Sequence, residues 1–186
     1  MAIEAGDFKT GLTVMVDGDP WQVIDFMHVK PGKGGAFVRT KLRDIKTGRV
    51  VDYTFNAGTK FDSVRLETKK MQFLYSDGTD FNFMDMSSFE QLSIPAETVG
   101  SAANWLKEND EATLMYAGDE LISIEPPMFV ELEVTETEPG FKGDTATGAT
   151  KPATVETGAQ VNVPLFVEQG DVIKIDTRTG EYLSRV

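Results

Sequence analysis

No cysteine occurs among the 186 residues, which excludes a disulfide scaffold, a thiolate metal site and a cysteine nucleophile, and fits a reducing compartment. Histidine is nearly absent too. His28 is the only one, so a zinc site would have to be completed by carboxylates. A serine–histidine–aspartate relay would rest on the same residue, with no GxSxG turn to carry its nucleophile. His28 therefore reads as a strand residue, and neither a metal nor a cofactor is expected. Long hydrophobic runs are missing: nothing approaches the roughly 18 consecutive apolar residues of a spanning helix. The opening MAIEAGDFKTG places Glu4 and Asp7 where an export signal needs basic residues followed by an apolar stretch. The cytoplasm is the expected compartment, with no membrane partner. Proline is scarce, at eight residues, while hydrophobic residues make up 40%, a balance that suits an ordered globular chain.

Cations are also in short supply, with 18 Lys and Arg against 30 Asp and Glu, a net charge of -12. Bulk electrostatics therefore disfavour a general nucleic-acid binder. The distribution is uneven. Residues 1–64 carry nine basic against eight acidic residues, 65–127 four against twelve, and 128–186 five against ten. Within the first third, residues 29–50 hold Lys30, Lys33, Arg39, Lys41, Arg43, Lys46 and Arg49 against Asp44 alone. A basic finger is expected on an acidic body.

What is abundant is short alternating segments separated by turn residues. Leu12–Val16, Trp21–Val29, Phe37–Asp44 and Arg49–Phe55 read as strands, with Asp17–Pro20 and Ile45–Gly48 as turns. Residues 1–64 are thus expected to form a small barrel. Val64–Glu67, Met71–Tyr75, Phe81–Met86 and Ala112–Tyr116 supply a second set of strands. Val99, Ala102, Ala103 and Leu106 recur at helical spacing and predict one helix between Pro95 and Asn109. Five strands and a helix are the usual content of an OB barrel, here over 65–127. Pro126 and Pro127 mark a junction, since neither can donate to a ladder. Met128–Thr135, Thr154–Val155, Gln160–Pro164, Val172–Asp176 and Tyr182–Val186 form a third β module over 128–186, interrupted by a loop from Pro139 to Pro152. The expected class is all-β: three consecutive small barrels.

The sharpest local feature is Pro31-Gly32-Lys33-Gly34-Gly35 between two strong strands. Pro31 stiffens the approach, the glycines bare the backbone, and Lys33 is the only long side chain at the tip. By itself this is also the pattern of an ordinary hairpin with a solvated lysine. It is not a Walker A loop, which needs GxxxxGK, then Ser or Thr, then a helix. Arg39, Lys41 and Arg43 alternate along one strand, so they share a face that could track a phosphate backbone or be merely solvated. Carboxylate pairs such as Asp80 with Asp85 or Glu131 with Glu133 are formally available for acid–base chemistry, but nothing singles one out.

At KPGKGGAFVR, Lys30–Arg39, followed by LRDIKTG, the chain resembles the bacterial translation elongation factor P family. KPATVETGAQVNVPLFVEQG, Lys151–Gly170, is similar to that family's carboxyl-terminal signature. EPGFKGDT, TRTGEYLSRV and the PPMFVELEV junction extend the likeness over essentially the whole chain. The resemblance implies a non-catalytic factor with a KOW-like or SH3-like barrel and two OB barrels, L-shaped like a tRNA. Such a factor binds the ribosome, both subunits, between the peptidyl and exit tRNA sites, contacts peptidyl-tRNA and relieves stalling at consecutive prolines. The family's tip lysine falls on Lys33, in the loop Pro31, Gly32, Gly34, Gly35. It is commonly lengthened after translation, which implies a lysine-modifying enzyme as a further partner. Lys30, Arg39, Lys41 and Arg43 are the expected RNA contacts, Gly143, Asp144 and Thr145 the decoding-end loop, and Tyr182 and Arg185 part of the terminal motif. A monomer is expected. A paralogue with another client, and an OB-type single-strand binder, are the competing readings; the two-domain archaeal and eukaryotic relatives fit less well, because a third module is present.

Overall fold

The computed structural model describes residues 1–140 and 148–186. It divides into two compact units, Met1–Thr68 with Met115–Ser123, and Lys69–Leu114 with Ile124–Val186. Among the described residues, no helix is long and apolar enough to cross a membrane.

The chain begins with β1 (Ala2–Glu4), a 3-10 turn, β2 (Thr13–Val16), β3 (Asp19–Val29), β4 (Phe37–Asp44), β5 (Val50–Asn56) and β6 (Lys60–Asp62). β2 to β5 form a four-stranded antiparallel meander, and β1 pairs with β6. The alternation read from the sequence is what the sheet uses. Val38, Thr40 and Leu42 of β4 point inward and are buried, while Arg39, Lys41 and Arg43 point out. Ala5, Phe8, Val14, Val23, Val38, Leu42 and Phe55 form one core cluster. Phe8 meets Phe55 edge-on at 6.1 Å between ring centroids, and Phe55 meets Phe61 edge-on at 4.8 Å, the geometry that ring quadrupoles favour.

Next come β7 (Leu66–Ser76), β8 (Asp80–Asp85), β9 (Gln91–Pro95), α1 (Ala96–Val99), a 3-10 turn (Gly100–Asn104), β10 (Glu111–Ala117) and β11 (Glu120–Glu125). The strand order is β11-β10-β7-β8-β9. Two expectations are corrected here. The segments expected at 64–67 and 71–75 are not separate strands: Val64 and Arg65 precede β7, and Leu66–Ser76 runs without a break because the polar run Thr68, Lys69, Lys70 lies exposed within it rather than ending it. The helix expected between Pro95 and Asn109 is a single α-turn followed by a 3-10 turn, because Gly100 takes φ 62° and ψ −135° and breaks the helical path. Its apolar spacing still did its work, since Val99, Ala102 and Leu106 are all buried.

β12 (Phe129–Thr137), β13 (Thr150–Val155), β14 (Gln160–Pro164), β15 (Val172–Asp176) and β16 (Glu181–Arg185) close the chain in the order β14-β13-β12-β15-β16. Thr150, Lys151 and Pro152 lie in β13, paired with Pro164, Val163 and Asn162, so the expected loop ends earlier than Pro152. Val130, Leu132, Val134, Val161, Val163, Ile173 and Ile175 lead the core cluster, with Trp105 and Tyr182 packed against it. The class is all-β with one short α-helix, as the periodicity indicated.

Candidate functional site

The β3–β4 hairpin carries the basic finger. The last paired residues are Val29 and Phe37, so Lys30–Ala36 form the tip, with everything from Lys30 to Gly35 exposed. Gly34 takes φ 102°, and a Cβ built there or at Gly32 or Gly35 meets nothing within 4 Å. The loop stands in open space, and among the described residues no ion pair or hydrogen bond engages the Lys33 ammonium. From Phe26 to Thr40 the hairpin contains Lys30, Lys33 and Arg39 and no carboxylate. Arg39 lies 5.9 Å from the Phe37 ring centroid, which lends it a partial anchor. His28 is an exposed strand residue whose ring meets Phe26 edge-on.

Further from the tip the face is not uniformly basic. Lys41 pairs in register with Asp25 of β3 and Asp52 of β5, and all three side chains are exposed on the outer face. Directly opposed residues on one face have Cβ atoms about 5 Å apart, so two carboxylates bracket the Lys41 cation. Met27, Arg39, Tyr53 and Thr54 join these three in lining a groove of about 300 Å³. The effective positive field is concentrated toward the tip.

At the hairpin's other end Lys46 and Arg49 are engaged within the protein, while Arg43 is exposed on the outer face of β4. Lys46 ion-pairs with Asp19 at 3.1 Å and Glu120 at 3.3 Å, contacts that push its already high pKa up, chiefly through the Asp19 hydrogen bond. Arg49 lies 5.9 Å from the Trp21 ring centroid. Asp44 staples the β4–β5 turn by accepting from the backbone N–H groups of Lys46 at 2.8 Å and Thr47 at 3.3 Å. Partial desolvation pushes the Asp44 carboxyl up, but hydrogen bonds from Thr47 and Lys46 and the charge of Arg49 outweigh it, leaving its pKa below the usual aspartate value. Asp44 was not singled out from the sequence; its signal is the Asp-x-x-Thr-Gly spacing of an Asx-type turn.

Of the terminal motif, Tyr182 is half-buried against the last core cluster, a packing position. Arg185 is exposed, 3.6 Å from the Asp171 carboxylate and 5.2 Å from the Phe166 ring centroid. Gly143, Asp144 and Thr145 lie outside the described residues. No group of three or more potential metal ligands occurs among the described residues. Of the carboxylates weighed for acid–base work, Asp85 is engaged in a turn and Glu131 and Glu133 face outward on β12.

Similarity to known proteins agrees with this arrangement. A translation initiation factor eif-5a family protein from Naegleria fowleri shares the fold at a TM-score of 0.52 and 18% identity, over 67% of this chain and 97% of that one. Residues 4–61 match the elongation factor P KOW-like domain, 66–124 its OB domain and 130–185 its C-terminal domain. Elongation factor P of Finegoldia magna is 62% identical over 99% of this chain and 100% of its own, and that of Acetivibrio thermocellus 58% over the same shares. Fold and family matches therefore define a β-rich translation factor rather than an enzyme. The chain belongs to the elongation factor P family.

Proposed function

We propose that this factor binds the ribosome between the peptidyl and exit tRNA sites, touches both subunits, and uses Lys33 to order the acceptor end of peptidyl-tRNA when consecutive prolines stall synthesis. The observation that carries this reading is the Lys33 amine: exposed, without a partner among the described residues, at the end of a hairpin free of carboxylates from residue 26 to 40. Proline has a locked φ and no amide hydrogen, so a nascent chain ending in prolines seldom reaches the reactive geometry. The factor needs no acid or base of its own. Holding the reacting terminus in place is enough, because about 1.4 kcal/mol of ordering changes a rate tenfold.

In this reading residues 1–64 form the KOW-like domain that carries the finger, 65–127 the central OB domain and 128–186 the C-terminal one. Lys30 and Arg39 meet backbone phosphates beside the tip, and Lys41 and Arg43 extend that track. Gly143, Asp144 and Thr145 are the decoding-end loop, which meets the small subunit, and Tyr182 and Arg185 belong to the terminal motif. A lysine-modifying enzyme lengthens the Lys33 side chain, and the factor works in the cytoplasm as a monomer without a cofactor. The test is Lys33→Ala in a reconstituted translation assay on a polyproline template. Thermal stability stays nearly unchanged, because the side chain is exposed and has no hydrogen-bond or ion-pair partner among the described residues, while relief of stalling is lost. Rescue by the alanine variant at the wild-type level would remove Lys33 from this role. Mass spectrometry of tip peptides from the native host identifies the added group.

A further inference from the structure

Pro126 and Pro127 are the only adjacent pair among the eight prolines of the chain. They stand outside any strand, between the end of β11 at Glu125 and the start of β12 at Phe129. What the fold takes from this junction is carbonyl oxygen. The Thr177 hydroxyl donates to the Pro127 carbonyl at 2.7 Å and to the Met128 carbonyl at 3.1 Å, and the Thr177 N–H donates to the Met128 carbonyl at 2.9 Å. Every residue type offers the same backbone acceptor, so proline adds only stiffness here.

The pair weighs more heavily while the chain is being made. Once Pro127 has been added, the nascent chain ends in two residues of locked φ, and its next step is transfer to methionine. In that step the α-amine of Met128 attacks the Pro127 carbonyl, the ester to the tRNA ribose oxygen breaks, and the Pro127–Met128 peptide bond forms. The proton lost by the amine ends on the ribose oxygen. Two prolines at the reacting end hinder the alignment that this attack needs. The position matters, because β12 to β16 are still unmade. Every member of the last core cluster, from Val130 to Ile175, lies beyond it, so a chain abandoned there lacks the core against which Trp105 packs.

We infer that this chain is a client of its own activity: the factor acts on the ribosomes that are making it, at the transfer from Pro127 to Met128, so its supply reinforces itself. The inference rests on the function proposed above and adds a client and a feedback to it. Factor already present speeds the completion of new copies, and a cell short of factor completes them slowly. The test translates this chain's own message in a reconstituted system, with the product radiolabelled and unlabelled full-length factor from the native host added or withheld. Without the factor, toeprinting finds ribosomes halted with the Pro127 codon in the peptidyl site, and the pause lasts about tenfold longer than with it. Synonymous codons for both prolines leave the pause in place, whereas a Pro127→Ala message is read at the same rate with and without factor. Both readouts are taken on the ribosome, so they hold whether or not the alanine product folds. A polyproline template is the control. If the factor relieves that control while its own message shows no factor-dependent pause at Pro127, or the pause survives Pro127→Ala or vanishes on synonymous recoding, the self-client inference is overturned and the role of Lys33 stands. If the factor fails on the control as well, the proposed function falls and this inference falls with it.

Discussion

Asp44 does for the base of the finger what no hydrophobic contact does: it fixes the direction in which β5 returns. Its folded pKa lies below the unfolded value, so its stabilising contribution is present above the ordinary aspartate range and is lost as pH falls through the folded value. Asp44→Asn is therefore expected to lower the thermal midpoint at pH 7. The gap between variant and wild type narrows as the pH drops below the ordinary aspartate value, read by melts across a pH series. The partner residues were only half legible in the sequence. Lys33 stood out because proline and three glycines surround it locally, whereas Lys46 looked like one more cation of the finger. Its pairing with Asp19 and Glu120 spans 27 and 74 positions, a distance no local pattern reports.

At the scale of elements, Gly100 decides the shape of the central helical segment. With φ 62° and ψ −135°, it occupies backbone space where a Cβ is strained, even though nothing crowds the position. Gly100→Ala should cost about 1–3 kcal/mol, measured as a fall in the urea midpoint at unchanged m-value. A loss well under 1 kcal/mol would show that the segment relaxes into a continuous helix. Strands with clean alternation, such as Phe37–Asp44, Gln160–Pro164 and Val172–Asp176, were readable to the residue. Those that escaped have physical reasons. β1 and β6 are three residues each, too short to display a period, β9 buries only Ile94, and β11 is half-buried along both faces, so its inside and outside do not differ.

For the whole molecule, the balance of charge sets how strongly the factor is drawn to RNA. Lys46 is spent on carboxylates, and Lys41 is bracketed by Asp25 and Asp52. Few cations are left to displace counterions, so ribosome affinity should fall with salt at a log–log slope of only about −3 to −4. Asp25→Asn with Asp52→Asn should tighten binding at low salt and steepen that slope, read by sedimentation across a salt series. An unaltered slope would show that the outer face of β4 stays away from phosphate. The sequence by itself determined the β class, the basic hairpin and its lysine tip, together with the likeness to the family. All of these depend on period-two alternation, turn chemistry and motifs that act over a few residues. Tertiary structure alone decided which carboxylates stand beside which cations and where the central helix stops. Strand register and backbone conformation are outcomes of packing between distant segments, and nothing in a short window of residues encodes them.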